Sequence, residues 1–229
     1  MFFFDQGYIV FVLPAMLFAF YAQGKVKSAY NKYARVASKR GYTGKDVARG
    51  LLDSMGLYDV DVEITGGNLT DHYDPKARKV RLSRDVYNGS SLAALSIAAH
   101  ETGHARQHAE SYFFLTFRNN FFPLARIGST MAMPLVIAGF FFGGNLLLMD
   151  IGIALFSFAV IFQIITLPVE FNASTRAMAM LAEGNYIYPE EERGSKAVLD
   201  AAALTYVAAT AVALAQILRL LLLRNSRRN

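Results

Sequence analysis

Five consecutive residues hold enough chemistry for a hydrolase. His100-Glu101-Thr102-Gly103-His104 is an HExxH pattern. Residues four apart share one face of a helix, about 6 Å apart along its axis. Two imidazoles so placed converge on one zinc ion with Zn–N bonds of about 2.0–2.1 Å. Glu101 projects beside them, where it takes a proton from a water bound to the metal. The ion lowers the pKa of that water towards about 7 and polarises the scissile carbonyl. The bland alternative is a pair of surface histidines with an incidental glutamate. The strongly helical run Leu92-Ala93-Ala94-Leu95-Ser96-Ile97-Ala98-Ala99 just ahead favours the catalytic reading.

The third ligand has to come from elsewhere. The chain has no Cys, so thiolate ligands and disulfides are excluded, and only four His. His108 follows His100 by eight residues, about 12 Å along a straight helix, too far for both to bind one ion. It is expected to face solvent or to support the site from outside. His72 lies in a predicted turn and is more often a loop residue. Two carboxylates compete. Glu170 follows the uncharged run Ile151 to Val169, with Pro168 ahead of it as a helix-start signal. Asp150, in Leu148-Met149-Asp150-Ile151-Gly152, faintly resembles the LDG segment of intramembrane site-two proteases. That reading needs the HExxH helix in lipid, and Arg106, Gln107 and Glu110 on the same helix make this costly. Glu170 is preferred, and Asp150 is expected at the polar tip of a hairpin.

The elements that must position these groups are mostly apolar. Hydrophobic residues make up 54% of the 229 and charged residues 18%, oily for a soluble domain. Gly7 to Gly24, Gly128 to Met149 and Ile151 to Val169 are uncharged and long enough to cross a hydrocarbon core of about 30 Å. Ala201 to Leu218 is a fourth candidate, rich in small residues that suit helix packing. The net charge of +5 is local. Lys25, Lys27, Lys32, Arg35, Lys39, Arg40, Lys45 and Arg49 follow the first apolar run and face one acid, Asp46. A basic cluster beside a span reads as cytoplasmic flank, not as a nucleic-acid site. Arg118 and Arg126 place the start of the hairpin on the same side. The basic tail Arg224, Arg227, Arg228 conflicts with this rule, since one further crossing puts it outside.

Between the spans, Thr43 with Asp46 predicts a helix start and Gly56 its stop. Asp59 to Thr65 and Lys79 to Leu82 alternate as strands, and Tyr73-Asp74-Pro75 reads as a turn. Gly89-Ser90-Ser91 caps a helix reaching about Glu110. The chain thus divides into a first span (1–24), a cytoplasmic region with the HExxH helix (25–127) and a two-span hairpin (128–169). A helix bearing the third ligand (170–200) and a last apolar helix with the basic tail (201–229) follow. The expected class is a mostly α membrane protein with about four spans and a small α+β catalytic region.

His-Glu-Thr-Gly-His-Ala at 100 to 105 and Pro-Val-Glu-Phe-Asn-Ala-Ser at 168 to 174 resemble the YugP-type membrane zinc metallopeptidases, themselves similar in plan to HtpX and the CAAX prenyl proteases. Tyr73-Asp74-Pro75 and Asp85-Val86-Tyr87-Asn88-Gly89 add to the likeness, which covers nearly the whole chain. The resemblance implies a gluzincin, with His100, His104 and Glu170 holding one Zn2+ per chain and Glu101 as base. It implies that Val80, Arg81, Leu82 and Ser83 form a strand pairing with extended substrate, and a cytoplasmic active site. HtpX-like chains place an Asp where this one has Ser174, so support for a zinc-bound His falls to Asn172 or Ser174. Arg176, Tyr73, His72, Tyr186 and Tyr188 are candidates to steady the oxyanion.

The sequence therefore predicts a multi-pass plasma-membrane endopeptidase, bacterial in type, acting on membrane-associated or unfolded polypeptides. An inactive scaffold, a site-two-type protease using Asp150 and a cation transporter are the alternatives.

Overall fold

The computed structural model describes residues 5–142 and 144–226. Seven α-helices are present among them: α1 (Leu13–Tyr33, preceded by a π-turn from Tyr8), α2 (Gly44–Ser54), α3 (Arg84–Asn88), α4 (Leu92–Ala109), α5 (Phe113–Phe141), α6 (Leu146–Glu183) and α7 (Glu192–Ser226). Three short strands are β1 (Asp61–Thr65), β2 (His72–Asp74) and β3 (Lys79–Ser83). The helices containing α1, α5, α6 and α7 are long and apolar enough to cross a membrane. Their large apolar side chains, such as Leu17, Phe20, Phe113, Phe122, Phe141 and Leu147, are widely exposed, as a lipid-facing surface requires. This is a mostly α membrane protein with a small sheet.

The chain forms two units. One comprises Gly24–Leu115 and Val169–Leu204. There α4 is buried on two sides. Leu92, Leu95 and Ala99 pack with Val47 and Leu51 of α2, Ala177 and Leu181 of α6, and Leu199 of α7. Ala94, Ala98 and Ala105 pack with Val80 and Leu82 of β3 and Val86 of α3. An apolar helix buried on both sides carries no amphipathic stripe. Helix α2 starts where the sequence predicts, with Thr43 and Asp46 exchanging bonds as a capping box. Ser91 caps α4 by accepting from the Ala94 N–H at 3.2 Å.

The sheet order is β1-β3-β2, with β1 parallel and β2 antiparallel to β3. This corrects two expectations. Tyr73 and Asp74 belong to a strand, and the turn begins after them, where Asp74 accepts from the Lys76 and Ala77 N–H groups at 3.0 Å. Strand β3, which holds Val80, Arg81, Leu82 and Ser83, is central, and the Ser83 N–H donates to Asp71 at 2.7 Å. Its backbone is engaged, so it offers no free edge to a substrate.

The other unit comprises the segment ending at Gln23, Thr116–Pro168 and the segment from Thr205. Helices α5 and α6 approach closely at glycines: a Cβ on Gly128 would stand 2.2 Å from the Leu155 carbonyl oxygen, and one on Gly152 2.8 Å from that of Ala132. Val136, Met149, Ile153, Leu220 and Leu223 form the core they share with α7. Helix α5 ends at Phe141 and α6 begins at Leu146, and between them Gly144 takes φ +68°. Asp150 is therefore not the hairpin tip. It sits inside α6 and pairs with Arg224 of α7 at 2.8 and 2.9 Å. Pro168 is likewise interior to α6, not its start. Before α1, Asp5 pairs with Arg219 of α7 at 2.7 Å. These pairs gather the start of α1, the α5–α6 turn and the end of α7 at one end of this unit. Arg227 and Arg228 of the basic tail lie outside the described residues.

Candidate metal centre

The HExxH face of α4 meets α6 at Glu170. His100 Nε2 and His104 Nε2 stand 3.3 and 3.6 Å from Glu170 Oε2, and one ligand atom from each of the three residues lies within 4.8 Å of the others. Donors held 2.0–2.1 Å from a tetrahedral ion are about 3.3–3.4 Å apart, so the donor chemistry and the spacing fit zinc. The side chains are sheltered, with 13% exposure for each imidazole and 4% for Glu170.

The approach of the two helices depends on one small residue. A Cβ on Gly103 would lie 2.9 Å from the Ala173 carbonyl oxygen. Gly103, inside the HExxH segment, lets α4 settle against the α6 turn that carries Glu170 and Ser174.

Glu101 is buried beside the cluster of donors, with the charges of His100 and Glu170 acting on it. Burial pushes its carboxyl up to about 7, opposed by the charge of His100 and by a bond from the Tyr73 N–H, and reinforced by the charges of Glu170 and Asp71. A buried carboxyl poised near neutrality suits a group that must take and return a proton.

The predicted supporting residues divide. Ser174 Oγ is 3.3 Å from His100 Nδ1. Asn172 does not reach an imidazole; its Oδ1 accepts from Gln107 at 2.9 Å and from Arg176 Nε at 2.7 Å. Gln107, overlooked in the sequence, is fully buried and its Oε1 lies 3.0 Å from His104 Nδ1. The signal was there: it follows His104 by three residues on the same helix. Arg176 is tied to Glu110 and stacks over Tyr112. Tyr186 packs edge-on against Tyr42, and Arg40 covers Tyr188. His72 is exposed, with Nδ1 2.8 Å from the Thr70 carbonyl. Tyr73 keeps its hydroxyl 2.8 Å from His108 Nδ1, so His108 stands outside the three-donor set, as its spacing requires.

Known proteins resemble this chain over nearly its whole length. The family described as "Putative neutral zinc metallopeptidase" matches residues 8–225. The chain belongs to this family. It is 50% identical to the "Putative membrane protease YugP" of Bacillus subtilis (strain 168) over 216 residues, 94% of this chain and 96% of that protein. No solved structure matches it. Membership in this family implies zinc, and His100, His104 and Glu170 form a group able to hold it.

Proposed function

We propose that this protein is a membrane-embedded zinc endopeptidase of gluzincin type. It takes one ion per chain and acts at the cytoplasmic membrane surface on membrane-associated or unfolded polypeptides. The observation that carries the reading is the convergence of both HExxH imidazoles on Glu170 Oε2 at 3.3 and 3.6 Å, with Glu101 buried beside them. His100, His104 and Glu170 would hold the metal. Zinc, when bound, supplies a Lewis acid for the scissile carbonyl and lowers the pKa of water. Glu101 accepts a proton from the attacking water and passes it to the leaving amine. An extended substrate lies along β2, an edge strand packed beside α4.

The cytoplasmic assignment rests on the basic residues 25–49. Of the tail, Arg224 is held by Asp150 of α6. The site-two reading loses support for the same reason: Asp150 is occupied by Arg224, and the three-donor cluster does not include it.

The test is zinc content and cleavage of casein and of a membrane-tethered protein, in detergent, for wild type, Glu101→Gln, Glu170→Ala and Asp150→Ala. Zinc lost only from Glu170→Ala, and cleavage lost without zinc from Glu101→Gln, support the proposal. Zinc content equal in all four points to a scaffold. A folded soluble protein cleaved as fast as the tethered one removes the substrate class.

A further inference from the structure

The two imidazoles are held by different chemistry on the side away from Glu170. Behind His100 is Ser174 Oγ at 3.3 Å, and a hydroxyl can either donate or accept. Behind His104 is Gln107, whose amide direction is normally ambiguous between its oxygen and nitrogen. Here two neighbours remove the ambiguity. The Val169 carbonyl, an acceptor only, lies 2.8 Å from the Gln107 amide nitrogen. Arg176, a donor only, gives its Nε–H to Asn172 Oδ1 at 2.7 Å, and the same oxygen takes the other Gln107 N–H at 2.9 Å. Both hydrogens of the Gln107 amide are then spent, and its Oε1 must face His104 Nδ1, 3.0 Å away. An acceptor at that position requires the proton on Nδ1, which leaves the Nε2 lone pair on the Glu170 side.

We infer that Gln107 is the positioning residue for His104. It fixes the tautomer that presents Nε2 to the metal, and Val169, Asn172 and Arg176 fix the direction of Gln107 itself. The relay is sheltered at its inner end, where Gln107 is fully buried. It ends at the surface, where Glu110 joins Arg176 and Arg106, the latter at 2.9 Å. A fully bonded buried amide is rigid, while an amide with one arm cut is costly to keep buried. The support of His104 is thus directional, and that of His100 is not.

This inference rests on the zinc reading above, so its test separates the two. Zinc affinity is measured by chelator competition on full-length protein in detergent, with visible absorption after Co2+ substitution as a report on the ligand field. The melting temperature of each metal-free variant confirms that it folds. Gln107→Leu is expected to weaken zinc binding about 10–100-fold and to broaden the Co2+ bands. Gln107→Glu, which keeps an acceptor opposite Nδ1–H, is expected to retain affinity much closer to wild type. Arg176→Met, which releases Asn172 together with Glu110 and Tyr112 but leaves Gln107 in place, falls between wild type and Gln107→Leu. Wild-type affinity in Gln107→Leu overturns the inference. Equal losses in the Leu and Glu variants also overturn it, since they would mean that Gln107 acts by filling space. Should His104→Ala bind zinc as tightly as wild type, the ligand assignment fails and the relay fails with it.

Discussion

In the unit containing α4, Glu170 is nearly buried and faces two imidazoles. In the unit built from α5 and the apolar parts of α6 and α7, Asp5 and Asp150 face guanidinium groups. All three acids lie in or beside long apolar runs, and by hydropathy alone they look alike. Their partners separate them. A guanidinium is charged at every relevant pH and cancels the carboxylate with bonds of fixed direction. A neutral imidazole offers a lone pair and leaves the carboxylate's charge for a cation to answer. A carboxylate in an apolar run thus marks a metal site only when its neighbours are donors of electron pairs. Otherwise it is part of the packing of helices.

This contrast breaks most visibly at Glu101. Glu101→Gln leaves all three candidate ligands in place, so zinc measured by mass spectrometry stays at the wild-type level while peptide turnover falls about 10²–10⁴-fold. Unchanged turnover would remove Glu101 from the chemistry. Next in size is the pairing of Glu170→Ala with Asp150→Ala. The first loses its zinc on gel filtration and the second keeps it; the opposite result would exchange the roles of the two units.

The ion pairs give the third test. Asp5→Asn withdraws the carboxylate from a guanidinium that is only 5% exposed and leaves it to its remaining contacts, the Tyr8 ring among them. The thermal midpoint in detergent should drop with zinc affinity unchanged. Gly103→Ala is smaller and affects both readouts. The added methyl meets the Ala173 carbonyl, and relief of that overlap costs about 1–3 kcal/mol while parting Glu170 from the histidines, so stability and zinc affinity should fall together. Asp74 gives the smallest effect. Bonds from the Ala77 N–H and from Arg81 hold its carboxyl at about 2. A folded-state value below the usual carboxylate value of 3.8 means that its contribution is complete above 3.8 and lost as pH falls through about 2. Asp74→Asn should flatten acid unfolding in that window and lower stability by a small constant amount above it, neutral pH included.

Much of the site could be read in the sequence because it depends on local periodicity. The i, i+4 histidines and the glutamate ending an apolar run announce themselves without knowledge of the fold. The capping box at Thr43 is local in the same way. What escaped was set by distance or brevity. β2 is three residues long, too short to display an alternation, so Tyr73 and Asp74 looked like the turn that follows them. The α5–α6 turn carries no charge, and hydropathy summed over a span ran through Gly144-Asn145 to the first acid, Asp150. Gln107 was visible as a neighbour of His104, but its role depends on Asn172, 65 residues away. The place of β3 in the sheet could not be read either, since strand order is a property of pairing and not of any one strand.

Helix α6 carries Glu170 beyond the α5–α6 turn, while His100 and His104 precede α5. During synthesis the two histidines therefore leave the ribosome before either hairpin helix exists, and their third partner follows only after both. A nascent chain halted before Glu170 holds the HExxH pair without the carboxylate that completes it. The order of the chain withholds the complete donor set until α1, α5 and the apolar part of α6 have been made.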